Sequence, residues 1–270
     1  MTTTSLHDLR ALVIDMDGVL WEGERPLPGL VEFFATLREL NVRFILATNN
    51  ASKTPEQYVD KLARMGVAVT PDEILTSAQA AALYLRSQTT PGARVYAIGE
   101  DGVQNALREQ GFVLCDLYDV SAQFVVCGMD RGVTWDKLAT ATLNINAGAT
   151  LVGTNPDTTL PTERGLTQGN GAILACLQAA TNRAPLIIGK PEPLMYQQAL
   201  ARLNADPATT AAIGDRLGTD ILGAVRSGIQ SIFVLSGVSS REQLSEINYR
   251  PTWVMNGIGD IARALRAPST

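Results

Sequence analysis

Nine short apolar runs, separated by longer segments, constrain this 270-residue chain more than any other feature. They cover 11–15, 42–47, 94–98, 124–127, 150–153, 186–189, 211–214, 231–235 and 252–254. Apolar runs of that length, bounded by turn signals, read as buried strands. Between them, segments such as 29–40, 78–86 and 195–203 carry helical spacing. Two capping boxes, Thr54-Pro55-Glu56-Gln57 and Thr70-Pro71-Asp72-Glu73, mark helix starts. Strands alternating with helices argue for βαβ units and an α/β fold around a parallel sheet.

In such sheets ligand sites lie outside the carboxyl ends of the strands. Four of these ends carry polar residues: Asp15-Met16-Asp17-Gly18, Thr48-Asn49-Asn50, Lys190 after Gly189, and Asp215 followed by Asp220. Each has a plain reading taken singly. Asp-Gly is a common turn pair, Thr48 or Asn49 suits a turn, Lys190 suits a surface, and Asp215 suits a helix N-cap. Paired carboxylates at a strand end can equally hold a hard cation, supply a nucleophile or share acid and base work.

Composition narrows the chemistry. With 46% hydrophobic residues and 18% charged ones the chain can build a globular core. The net charge is −5 and no basic run occurs, so neither nucleic acid nor a membrane is expected as a partner. No apolar stretch reaches the roughly 20 residues of a membrane span, and the first residues have no signal-peptide pattern. The three cysteines, Cys115, Cys127 and Cys176, form no close pair. They read as reduced thiols in a cytoplasmic protein, each packed in a core. The single histidine, His7, precedes the first strand. A Ser-His-Asp triad or a histidine-rich zinc site is therefore excluded, and proton transfer falls to carboxylates, Lys, Tyr or Cys.

In this order, Asp-x-Asp, Thr-Asn, Lys and Asp-x₄-Asp resemble the four motifs of the haloacid dehalogenase-like (HAD) superfamily. The segment between Asn50 and Lys190 is similar to the C2-type cap of the NagD-like, 4-nitrophenylphosphatase-like subfamily. Thr154-Asn155-Pro156-Asp157, Gly169-Asn170-Gly171-Ala172, Gly189-Lys190-Pro191-Glu192-Pro193 and Leu235-Ser236-Gly237-Val238 carry that likeness. The resemblance implies a doubly wound parallel-sheet (Rossmann-like) core at 1–79 and 186–270, with an inserted α/β cap domain at 80–185.

It also implies an activity: a Mg²⁺-dependent phosphatase acting on a small-molecule phosphate ester of nucleotide, sugar phosphate, phosphoglycolate or nitrophenyl phosphate type. Asp15 would attack phosphorus and form an aspartyl-phosphate. Asp17 would protonate the leaving alcohol and later activate water. Thr48, Asn49, Asn50 and Lys190 would bind phosphate. Asp15, the main-chain carbonyl of Asp17 and Asp215 would hold Mg²⁺, with Asp220 orienting Lys190 or a metal-bound water. Cap residues Asn155, Asp157 and Leu160 are candidates for facing the substrate, with Glu163 and Arg164 nearby. The resemblance also allows a homo-oligomer. The alternatives are a phosphotransferase or mutase, and a non-catalytic phosphoacceptor switch.

The residue types suit the chemistry. An ordinary Asp has a pKa near 3.9, so the nucleophile needs no activating base at neutral pH. Bringing it to a phosphate is the obstacle: two like charges about 4 Å apart cost about 4 kcal/mol at an effective dielectric of 20. A lysine and a divalent cation offset that repulsion.

Overall fold

The computed structural model describes residues 5–162 and 164–267, so Glu163 lies outside the described residues. The chain forms two compact units. The first comprises Met1–Thr48, Pro55–Leu75 and Lys190–Thr270, and the second Asn49–Thr54 and Thr76–Gly189. The short stretch 49–54 groups with the second unit.

The first unit is built on six strands in the order Trp253–Met255, Gln230–Val234, Thr210–Gly214, Ala11–Ile14, Arg43–Thr48 and Ile74–Thr76. Pairing is parallel from Trp253–Met255 across to Arg43–Thr48. Every residue of Ala11–Ile14 and of Thr210–Gly214 is buried, as parallel strands covered on both faces require. Helices Leu30–Glu39 and Ile258–Arg266 pack together and share a core with Leu12, Ile14, Phe44, Leu46, Ile213 and Ile232. Helix Pro193–Leu203 contributes nothing to that core and packs against Arg43–Thr48 and Ala11–Ile14. The sheet is thus covered on both faces.

Chain order fixes where a ligand can bind. From Ala11–Ile14 the chain moves outward through Arg43–Thr48 to Ile74–Thr76. It then returns beside the first strand as Thr210–Gly214 and runs outward the other way. The direction reverses at Ala11–Ile14, which is the switch point where doubly wound sheets open a crevice. Ile14 is level with Ile213 on one side and Leu46 on the other. Asp15, Asp215 and Thr48 therefore leave three adjacent strands at the same edge.

The second unit has its own parallel sheet, in the order Leu186–Ile187, Thr150–Gly153, Phe124–Cys127, Arg94–Ile98 and Val113–Leu114. Helices Trp135–Asn146 and Asn170–Thr181 pack together, as do Ser77–Gln88 and Asp101–Glu109. Tyr96, Ile98, Val125, Leu151, Ile173 and Leu177 form part of its core. An antiparallel hairpin, Thr159–Thr162 with Gly165–Gln168, completes it.

The structure departs from the sequence reading in small elements. Strands of two to four residues at Trp21–Glu22, Arg25–Pro26, Ile74–Thr76, Val113–Leu114, Thr159–Thr162 and Gly165–Gln168 were not expected. Runs this short show no periodicity. The Thr70 capping box starts one 3-10 turn, Pro71–Glu73, and no longer helix, because Ile74 resumes an extended strand. Cys115 and Cys127 are buried, but Cys176 is exposed on the outer side of Asn170–Thr181, where its apolar neighbours in sequence point to the other face of the helix. Among the described residues no helix is long and apolar enough to cross a membrane.

Candidate active site

Three buried or nearly buried carboxylates meet at the carboxyl edge of the first unit's sheet. Oxygens of Asp15, Asp215 and Asp220 lie within 4.8 Å of one another. Lys190 reaches them from the start of the last chain segment, on a side chain only 4% exposed. Its Nζ donates to Asp15 Oδ1, lies 2.7 Å from Asp220 Oδ1 and donates to the carbonyl oxygen of Ala47 at 3.0 Å. The lysine is thus pinned between the nucleophile candidate, a second carboxylate and the strand that carries Thr48. Thr48 ends that strand with 3% of its surface exposed.

The remaining bonds divide the carboxylates by task. Asp220 accepts from the main-chain N–H of Arg216 on Oδ2 (3.1 Å), and its buried Oδ1 forms an ion pair with Lys190 without accepting a hydrogen bond from a described residue. Asp215 accepts from the main-chain N–H of Val238 on Oδ2 (2.7 Å). Its Oδ1 is buried and accepts no hydrogen bond from any described residue. Gly18 and Gly237 wrap this side chain so closely that a Cβ at either position would overlap the Asp215 carboxylate. Gly18 also has φ +84°, a left-handed conformation that glycine adopts without strain.

Charge at the site is unbalanced. Three carboxylates and one ammonium sum to −2 when all are ionised. Burial, Asp220 and Asp215 push the Asp15 carboxyl well above its ordinary range despite the opposing lysine. Burial first, then Asp220, raises Asp215 to about 6. Burial works against the Lys190 ammonium, but Asp15 and Asp220 outweigh it and hold the lysine above its usual pKa. A partnerless buried carboxylate oxygen inside an anionic cluster of oxygen donors is the environment a hard divalent cation requires. The residues present therefore fit such an ion.

Asp17 stands apart from this cluster. It is exposed, and its Oδ1 accepts from the indole Nε1 of Trp21 at 2.7 Å. Trp21 belongs to the small hairpin that follows the Gly18 turn. Nothing in the sequence signals this contact, and the same is true of the Val238 N–H donor and the two glycines packed on Asp215.

The other sequence candidates lie in the second unit. Asn49 donates from Nδ2 to Asp157 Oδ2 at 3.2 Å, and its carbonyl oxygen accepts from Asn155 Nδ2 (2.7 Å) and Ser77 Oγ (2.6 Å). Asn155 is 5% exposed, and its own carbonyl oxygen accepts from Asn170 Nδ2 at 2.8 Å. Asn49, Asn155 and Asp157 thus form one network that holds the Asn49 carbonyl and side chain. Asn50 Oδ1 accepts from the main-chain N–H and the hydroxyl of Ser52, closing a turn. Leu160 is half-buried in the Thr159–Thr162 hairpin, level with Thr167.

Comparison with known proteins adds to this geometry. A family model described as haloacid dehalogenase-like hydrolase matches residues 12–113, and a HAD-hydrolase-like model matches residues 187–261. The acid sugar phosphatase of Staphylococcus saprophyticus is 37% identical over 260 residues, covering 96% of this chain and 99% of that protein. The 4-nitrophenylphosphatase of Thermotoga maritima superposes with a TM-score of 0.91 at 33% identity, over 97% of this chain and 99% of that one. NagD from E. coli K-12 does so with a TM-score of 0.87 at 33% identity, over 93% and 98%.

Proposed function

Because the chain belongs to the haloacid dehalogenase-like hydrolases, in their NagD-like branch, and is a phosphatase of small phosphate esters, we propose that it cleaves phosphomonoesters, sugar phosphates foremost, through a phosphorylated Asp15. The observation that carries this reading is the Asp15 carboxylate at the switch-point strand end, gripped on Oδ1 by a buried lysine and flanked by Asp215 and Asp220. The sugar preference is supported by the name of the S. saprophyticus relative.

In this reading an Asp15 oxygen attacks phosphorus as the ester oxygen departs. Lys190 neutralises charge on the transferring phosphoryl group and keeps the carboxylate in line. Thr48 and the peptide of Asn49 supply hydrogen bonds to phosphoryl oxygens, where donors are worth about 10²–10³ in rate. Asp17 gives its proton to the leaving oxygen, then takes one from the water that hydrolyses the aspartyl-phosphate. Asp15, Asp215 and the main-chain carbonyl of Asp17 would hold Mg²⁺, while Asp220 orients Lys190. When bound, that ion supplies further neutralisation of the phosphate.

The test is phosphate release from a panel of phosphomonoesters, with Mg²⁺ and with EDTA, for the wild type and Asp15→Asn. The expected result is metal-dependent release, highest for sugar phosphates and abolished in a folded Asp15→Asn. Full activity of that variant would overturn the assignment.

A further inference from the structure

We propose that Trp21 is a positioning residue for proton transfer. Its indole N–H holds Asp17 Oδ1 and thereby assigns the transferred proton to Oδ2. The inference deepens the phosphatase reading and rests on it.

The contact is well built. Trp21 Nε1 donates to Asp17 Oδ1 at 2.7 Å, at the short end of the range for an N–H donor. The main chain repeats the grip, because the Gly18 N–H donates to the Trp21 carbonyl oxygen at 2.8 Å. The indole cannot swing away. Trp21 is fully buried, and its ring stacks on Tyr58 with centroids 6.3 Å apart and planes 20° from parallel. Lys61 Nζ sits 4.3 Å from the ring centroid, tethered by donation to the Gly23 carbonyl oxygen at 2.7 Å. A cation over an indole face is attracted to it and draws electron density from the ring. The N–H becomes a stronger donor as a result.

The chemistry follows from what an indole can do. It donates one hydrogen bond and accepts none. An Asp17 oxygen facing it must remain an acceptor whatever the charge of the carboxyl. When Asp17 is protonated the proton therefore sits on Oδ2, and that oxygen delivers it to the departing alkoxide. Without the indole the carboxyl rotates freely about its terminal bond, and the proton is on the wrong oxygen for part of the time. Asp17 is exposed, so packing around it does not supply this restraint.

The experiment compares kcat/KM for an alkyl phosphate and for 4-nitrophenyl phosphate in the wild type, Trp21→Phe, Asp17→Asn and the double variant. The alkoxide needs a proton in order to leave and nitrophenolate does not. General acid catalysis contributes about 10²–10⁴-fold. Trp21→Phe is expected to lower the alkyl phosphate value about tenfold more than the nitrophenyl phosphate value, and to add nothing to that ratio in the Asp17→Asn background. If Phe does not fill the site and the variant unfolds, benzothienylalanine placed at position 21 alone replaces the N–H by sulfur and keeps the ring. It is expected to give the same selective loss. Equal losses on both esters, with the wild type hydrolysing both, would overturn the positioning role and leave the phosphatase reading standing. A wild type that hydrolyses neither ester would overturn both.

Discussion

Replacing Asp215 by Asn should stabilise the cation-free protein while destroying its activity. In the folded chain the Asp215 carboxyl is raised from the ordinary 3.8 to about 6, first by burial and then by Asp220. At about 1.4 kcal/mol per tenfold change in acidity, that displacement is worth about 3 kcal/mol. The sign follows from proton counting. Between pH 4 and 6 the folded state binds more protons at this site than the unfolded state. Stability is therefore lost as the pH rises through that window and stays low above it. Asn removes the charge and keeps the shape. Its oxygen can still accept from the Val238 N–H, and its NH₂ then occupies the place of the partnerless Oδ1, facing carboxylates. The assay is urea unfolding at pH 7.5 in EDTA and again with Mg²⁺, together with phosphate release. The expected outcome is a gain of about 2–3 kcal/mol for the variant in EDTA, a smaller gain at pH 5, stabilisation by Mg²⁺ in the wild type only, and loss of turnover. A variant less stable than the wild type in EDTA at pH 7.5 would refute the account of the cluster as charge-frustrated without a cation.

Two further expectations concern residues that hold their neighbours in place. Gly237→Ala places a methyl group against the Asp215 carboxylate, so the Mg²⁺ concentration giving half-maximal activity should rise about 10–100-fold; an unchanged Mg²⁺ titration would show that the carboxylate is not held by this contact. Asn155→Ala removes the donor to the Asn49 carbonyl oxygen and should cost about 1–3 kcal/mol in urea unfolding while lowering kcat/KM alike for every ester, because the network holds a peptide rather than a leaving group. An altered substrate ranking would instead make Asn155 a specificity residue.

The fold class and the polar strand ends were legible because they are local. Ala11–Ile14 is a short apolar run ending in a carboxylate, and Thr210–Gly214 is another, so strand and terminal side chain are both readable within a few positions. Lys190 could be named in the same way, but its partners could not. Its contact with Asp15 joins residues 175 positions apart, and only the resemblance to a known motif order anticipated it.

What the chain by itself determined is therefore the parallel α/β architecture and the set of residues offered at the carboxyl ends of its strands, since short-range hydrophobic pattern and turn chemistry dictate both. Only the tertiary structure decided which of them meet, and on what terms. Strand order sets Ala11–Ile14 between Thr210–Gly214 and Arg43–Thr48, and register brings Asp15 and Asp215 out at the same edge. The division of labour among the carboxylates follows from contacts that the motif pattern does not specify: the Val238 N–H on Asp215, the Arg216 N–H on Asp220 and the Trp21 indole on Asp17. Such contacts depend on where a turn or a ring lands after packing, and residue spacing along the chain carries no record of that.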